Sequence, residues 1–192
     1  SGIRIDDSTS GTLTIKNCYI HNNDNGVLTS NTATTAGLTL NVENCEFNSN
    51  GYGDGYSHNM YIGNISTFSF RYSYSTHVKS GHLIKTRADR NFVEYNRITD
   101  ETTDSTWNSN YNIDIPEGGY SYIIGNLLHQ GSTAPNNTMV AYAMENTNNP
   151  GKHCYVINNT FVNDYAGGYF LRGRNDATYT VTYKNNIFTG SG

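Results

Sequence analysis

Residues that favour helices are scarce in this 192-residue sequence. Leu, Ala, Lys and Glu are few, whereas Asn, Thr, Ser, Gly and Tyr dominate, and no stretch shows a convincing amphipathic helix period. Strong helix formers are therefore lacking, while residues that suit strands and tight turns are abundant. The composition predicts an all-β chain with short strands and many turns.

Charge and long apolar runs are also lacking. The chain carries 12 basic and 16 acidic residues, and no run approaches the roughly 18 apolar residues of a membrane span. Nothing resembles the basic stripe with which a nucleic-acid-binding protein meets phosphates, so a nucleic-acid partner is not expected. No signal peptide is visible, but the sequence opens in what we expect to be a strand. We therefore expect a mature fragment or an excised piece, and the missing signal excludes no location.

Cysteine is rare as well. The three cysteines, Cys18, Cys45 and Cys154, are an odd number and form no C-x-x-C pair, which argues against a metal or redox site built on them. Two of them stand instead at equivalent positions of an internal repeat.

That repeat is a β stretch followed by a small polar residue, any residue, and an apolar residue. Copies occupy residues 13–20, 40–47, 92–98, 122–128, 156–161 and 183–188, with a degenerate copy at 70–75. The polar residue recurs roughly every 23 to 33 residues, as expected of a solenoid. It is Cys18, Cys45, Ser73, Asn96, Asn126, Asn159 and Asn186 in turn. Inward-facing amides at this position would hydrogen-bond between coils, so the sequence predicts a structural ladder.

A second, shorter strand precedes each ladder position. We place these strands at residues 3–5, 27–29, 60–62, 84–86, 113–115, 142–144 and 171–173, with the first and third side chains inward and the middle one outward. The signatures of leucine-rich repeats and propellers are missing. We therefore predict an all-β fold, a right-handed single-stranded parallel β-helix of about seven coils spanning residues 1–192.

Neither end of this solenoid carries a recognisable cap. A solenoid that stops in mid-stack exposes strand edges that promote aggregation. We therefore expect an uncapped piece of a longer chain or assembly, in which flanking coils, another domain or a neighbouring subunit covers Ser1 and Gly192.

The middle residues of the short strands should form an outward column. It comprises Tyr61, Lys85, Asp114, Ala143 and Arg172, and a second column two residues on comprises Gly63, Arg87, Pro116, Glu145 and Arg174. His58 and His82 lie beside the first column, as do Asn59 and Asn112. Long loops at 51–57, 100–110 and 130–137 feed this face, and their Tyr56 and Trp107 are candidates to wall a sugar-binding groove. The alternative is that these charges are solvated and pair across coils, which would contribute little.

Four stretches carry a family resemblance: 57–63, 81–88 (Gly-His-Leu-Ile-Lys-Thr-Arg-Ala), 114–119 and 158–164. They resemble bacterial right-handed parallel β-helix repeat proteins of the pectin-lyase-like superfamily. In that superfamily, alginate-lyase and chondroitinase-like enzymes use a Lys base and an Arg proton donor, with Ca²⁺ on the uronate carboxylate. The resemblance implies Lys85 as the base and Arg87 or Arg172 as the acid or carboxylate clamp. It implies Asp114, Glu145 and Glu117 as Ca²⁺ ligands.

Other groups complete the predicted site. His58, His82 and Tyr61 are alternates for acid–base work, and Asn59, Asn112, Tyr56 and Trp107 are candidate substrate contacts. The aspartate cluster of pectate lyases and the motifs of polygalacturonases are absent from the sequence.

Two hypotheses of function remain. The first is a secreted or surface polysaccharide lyase, or a related enzyme, that acts on an acidic polysaccharide. The second is a non-catalytic module, such as a tailspike, adhesin or surface-fibre segment, with neighbouring subunits on its open ends.

Overall fold

The computed structural model describes residues 1–32, 36–101 and 104–191. Strands in these ranges form three seven-stranded sheets, and every pairing that joins them is parallel. Sheet A contains β1 (Ile3–Ile5), β4 (Val27–Thr29), β7 (Met60–Ile62), β10 (Ile84–Thr86), β13 (Ile113–Ile115), β16 (Thr138–Tyr142) and β19 (Tyr169–Gly173).

The other two sheets follow sheet A in every coil. Sheet B contains β2 (Gly11–Lys16), β5 (Leu38–Glu43), β8 (Thr67–Arg71), β11 (Arg90–Glu94), β14 (Tyr120–Ile124), β17 (His153–Ile157) and β20 (Thr180–Lys184). Sheet C contains β3 (Tyr19–His21), β6 (Glu46–Asn50), β9 (Tyr74–Val78), β12 (Arg97–Asp100), β15 (Leu127–Gln130), β18 (Thr160–Asn163) and β21 (Ile187–Gly190). The predicted parallel β-solenoid of about seven coils is confirmed, and its right-handed sense stays a prediction.

The core fills the space between the three sheets. Alternate residues of each strand point inward, and Phe47, Phe68, Phe70 and Phe161 are fully buried there among Val, Ile and Leu side chains. Each such burial contributes about 1.5–3 kcal/mol. No helix in the described part of the chain is long and apolar enough to cross a membrane.

The predicted polar ladder occupies the corner between sheets B and C. Asn96 donates from its side-chain amide to Asn126 Oδ1 at 3.0 Å, Asn126 to Asn159, and Asn159 to Asn186 at the same distance. The second amide hydrogen goes to a strand carbonyl, as from Asn126 to Val93 O at 2.8 Å. These bonds pair the buried amides, which would otherwise destabilise the fold.

The small residues Cys18, Cys45 and Ser73 continue the ladder in the first coils. The Cys45 backbone N–H donates to Ser73 Oγ at 3.0 Å, and the Cys18 N–H donates to Cys45 Sγ at 3.4 Å. Both cysteines, and Cys154, are free thiols. The residue before each ladder position has a positive φ in all seven coils, and Tyr72 and Tyr95 adopt it at 52° and 59°. This left-handed residue makes the tight turn from sheet B into sheet C.

One predicted strand is wrong. Coil six enters sheet A with Thr138–Tyr142, not with residues 142–144, so Ala141 and not Ala143 lies beside Asp114 and Arg172. The strand ends where Ala143 turns into a positive φ of 58°. Glu145 therefore lies outside the predicted second column, on a segment that leaves the sheet.

The apolar interior is open at the last coil. Phe188 is 44% exposed, whereas Phe161, its partner one coil earlier, is fully buried. The call that Gly192 needs a covering partner falls on a residue outside the described part of the chain, as do residues 102 and 103 of the predicted loop 100–110.

Candidate functional site

The outer face of sheet A brings most of the predicted site residues together. Tyr61, Lys85 and Asp114 are register neighbours on β7, β10 and β13, about 4.8 Å apart along the stack. Arg87 follows β10 directly, and Glu117 lies just beyond β13. We call these five residues, together with Glu145, His58 and His82, the sheet A cluster.

Ion pairs join the charged members of this cluster. Lys85 Nζ donates to Asp114 Oδ2 at 2.9 Å and to Glu145 Oε1 at 2.8 Å. Arg87 donates through Nη1 to Glu117 Oε1 at 2.7 Å and through Nη2 to Glu145 Oε2 at 2.6 Å. Two cations thus meet three carboxylates, and Glu145 bridges both cations.

The cluster is buried although it stands on an outer face. The side chains of Lys85 and Arg87 are each 10% exposed, and those of Asp114 and Glu117 are 4% exposed. The charges do pair across coils, as the alternative of a solvated ladder expects, but water is largely excluded from them. Removing charges from water is costly, so such a cluster is weak evidence for stability and better evidence for a functional site.

The carboxylates keep Lys85 and Arg87 charged. Burial alone would lower the pKa of Lys85, but the charges and hydrogen bonds of Asp114 and Glu145 outweigh it and raise the pKa. Burial alone would also lower the pKa of Arg87. Its hydrogen bonds with Glu145, Tyr61 and Glu117 outweigh that effect, so the pKa of Arg87 is raised. Lys85, held as a cation between two carboxylates, is positioned to bind an anion. Its predicted role as a general base stays a prediction.

Two buried histidines adjoin the charged residues of the cluster, with their ring centroids 4.6 Å apart and their planes tilted by 44°. His58 Nδ1 accepts the backbone N–H of His82 at 2.9 Å and lies 2.9 Å from His82 Nδ1. Burial, and then Lys85, lowers the pKa of His58 to about 3, and burial, His58 and Lys85 lower that of His82 well below its ordinary value. Both imidazoles are therefore neutral near pH 7, and the hydrogen-bond pattern assigns the shared proton to His82 Nδ1.

Tyr61 is the partly exposed polar group beside these histidines. Its ring stacks on His58 with centroids 5.5 Å apart, and its hydroxyl accepts a hydrogen bond from Arg87 Nε at 3.2 Å. Tyr111, which sequence reasoning missed, stacks in the same way on His82 at 5.0 Å. The Tyr61 hydroxyl is thus held at a fixed position on the outer face of sheet A.

A segment of residues 144–150, here called the strap, crosses the face of sheet A after β16. The backbone N–H groups of Glu145 and Asn146 donate to Pro116 O at 3.0 and 3.1 Å. Asn148 donates to Glu117 Oε2, and the buried Asn149 amide lies within 3.2 Å of the carbonyls of Arg87, Ala88 and Gly118. No periodic sequence signal marks these asparagines.

The three predicted calcium ligands lie together, but their arrangement does not fit the ion. Asp114, Glu117 and Glu145 each accept a hydrogen bond from Lys85 or Arg87, so cationic side chains already take the place of a metal. Among the described residues, no group of three or more His, Cys, Asp or Glu could hold a metal ion.

The remaining predicted residues lie apart from the cluster. Arg172 is exposed, with its guanidinium 5.9 Å from the Tyr169 ring centroid. Tyr56 is 85% exposed, and Trp107 packs edge-on against His77.

The two predicted substrate-binding asparagines are structural. Asn59 and Asn112 are buried and donate to carbonyls of sheet C, Asn59 to Thr76 O at 2.8 Å and Asn112 to His129 O at 3.0 Å. Their side chains point into the core and are held there, so they do not reach a ligand on the outer face.

Comparison with known proteins adds no relative. No family model matches the chain, and neither the search of curated proteins nor that of solved structures finds a match. A fold alone does not fix an activity, so the functional evidence lies in the site itself.

Proposed function

We propose that this chain binds or processes an acidic polysaccharide on the outer face of sheet A. One observation carries the proposal: two buried cations, Lys85 and Arg87, hold a single half-exposed carboxylate between them. A uronate residue of a polysaccharide presents the same group. The proposal also assigns the chain to the pectin-lyase-like class of β-helices and to a secreted or surface location, as the resemblance implies.

If the protein is an enzyme, the cluster favours lyase-type chemistry with roles that differ from those the resemblance implies. Lys85 and Arg87 would neutralise the uronate carboxylate, which acidifies the proton on the adjacent carbon. In the β-elimination, the Tyr61 oxygen, fixed by Arg87 and by the ring of His58, would take that proton. The C–O bond to the next sugar would break as the C=C bond forms, and the same oxygen would return the proton to the leaving sugar oxygen. The neutral histidines would hold Tyr61 in place without adding charge.

A non-catalytic module is the second candidate, and the internal pairing of the cluster favours it. Every charged side chain of the cluster is already paired within the chain, so none is left over to demand a substrate. Sheet B is a poor alternative platform for sugars. Both faces of the Tyr122 ring are covered, by Phe92 at 5.0 Å and Tyr155 at 5.1 Å, so a pyranose has no free face to stack on.

The test is an assay of wild-type protein on a panel of acidic polysaccharides, with ultraviolet absorbance of the unsaturated uronate as the readout and binding measured in parallel. Product on one polymer, lost in Tyr61→Phe and kept in Tyr120→Phe on sheet B, would establish the lyase. Binding without product would favour the non-catalytic module. Neither binding nor product on any polymer would refute the proposal.

A further inference from the structure

The Glu145 carboxylate is the outermost charged group of the sheet A cluster. Its side chain is 45% exposed, whereas those of the two cations it touches are 10% exposed. Each of its oxygens faces a different cation, Oε1 facing Lys85 at 2.8 Å and Oε2 facing Arg87 at 2.6 Å. On the solvent side, the Glu145 carboxylate therefore covers the two buried cations.

The backbone of the strap does not depend on this carboxylate. The N–H groups of Glu145 and Asn146 are bound to Pro116 O, and Asn149 is bound to three carbonyls beneath it. The Glu145 side chain can therefore rotate into water while the strap stays in place. Displacement requires a change of side-chain torsions only.

The charges that remain after displacement balance. Lys85 keeps Asp114 at 2.9 Å, and Arg87 keeps Glu117 at 2.7 Å, so each buried cation retains one buried carboxylate. The third carboxylate is the surplus one. Its removal leaves a neutral site with two unused donors, Lys85 Nζ and Arg87 Nη2, which suits one incoming carboxylate.

We propose that Lys85 and Arg87 form a carboxylate-binding site in which Glu145 is an exchangeable internal occupant that a ligand carboxylate displaces. This inference rests on the proposed function, which it deepens by naming the subsite and its competitor. An internal competitor lowers the apparent affinity by the fraction of molecules in which the site is open. Wild-type protein therefore binds small carboxylates weakly.

The experiment measures acetate and glucuronate binding, with glucose as the uncharged probe, by calorimetry and by NMR of the Arg87 Nε–H and Asn148 amide signals. Glu145→Ala should bind both carboxylates about tenfold or more tightly than wild type and should not bind glucose. Glu145→Gln, which keeps the volume, should show a smaller gain. Glu46→Ala is the matched control, because Glu46 accepts a bond from the neutral Asn48 amide.

Folding is checked for each variant by thermal unfolding. A folded Glu145→Ala that gains no carboxylate affinity would overturn the inference, and so would a gain whose NMR shifts lie away from Arg87. If Glu145→Ala fails to fold, the same two criteria apply to Glu145→Gln. Failure of the proposed function is seen separately, as absence of polymer binding by the wild-type protein.

Discussion

The two buried histidines should make the stability of the fold fall steeply in mild acid. Burial lowers the pKa of His58 from 6.5 to about 3. The unfolded chain therefore binds a proton as the pH falls below about 6.5, and the folded chain does not until about pH 3. The stabilisation is fully present above the unfolded pKa and is lost as the pH falls through this window.

The size of the effect follows from the shift. A window of about 3.5 pH units at about 1.4 kcal/mol per unit gives about 5 kcal/mol for His58 alone. Asp100 acts in the opposite sense, because burial raises its pKa from 3.8 to about 6 and the resulting stabilisation is lost as the pH rises through 6. The total pH dependence therefore mixes two signs, and a variant is needed to separate them.

His58→Asn isolates the contribution, because the asparagine Oδ1 can replace Nδ1 as the acceptor for His82. The free energy of unfolding is measured by denaturant at several pH values between about 4 and 6. The wild-type curve should be steeper than the variant curve by about 1.4 kcal/mol per pH unit, and Asp100 cancels in this difference. His21→Asn, which changes an exposed histidine on β3, is the control. Parallel curves for wild type and His58→Asn would show that His58 does not cause the acid sensitivity.

Three further experiments test the ion pairs, the ladder and the buried thiol. Lys85→Met leaves a buried carboxylate unpaired and should destabilise the protein by about 3–5 kcal/mol in denaturant unfolding, whereas Lys184→Met on the exposed face of sheet B should change stability by less than about 0.5 kcal/mol. Asn126→Ala removes a central rung of the ladder and should cost about 1–3 kcal/mol, and a smaller loss would contradict its structural role. Burial raises the pKa of Cys154 to about 12, so an alkylating reagent should modify the exposed Cys18 in the native protein and spare Cys154 until unfolding, as peptide mass spectrometry would show.

The solenoid was predictable because each coil carries the same short sequence pattern. Each coil repeats the same corner, and the buried amides of Asn96, Asn126 and Asn159 recur where the structure forms its ladder. Alternation also located the outward positions of Lys85 and Asp114. The strand of coil six was misplaced because all five residues of Thr138–Tyr142 are buried, so no exposed residue marks its outward positions.

The site was predictable in its members but not in its chemistry. The strap has no periodic sequence pattern. The sequence therefore did not reveal that the Glu145 carboxylate bonds both Lys85 and Arg87. Nor did it reveal that the Asn149 amide anchors this segment to the backbone beneath it. The protonation of Lys85 depends on carboxylates 29 and 60 positions away along the chain. Asn59 was misjudged because a polar residue beside an outward column can equally well turn into the core.

One measurement decides whether the ligand lies on sheet A. It compares the binding of acidic polysaccharides to wild-type protein, to Arg87→Lys and to Tyr120→Ala. Arg87 holds Glu145 through its planar guanidinium, which Lys cannot reproduce. We predict that one polymer binds to wild type and to Tyr120→Ala, and at least about tenfold more weakly to Arg87→Lys. Equal binding to wild type and Arg87→Lys, with loss in Tyr120→Ala, would place the ligand on sheet B and contradict the assignment to sheet A.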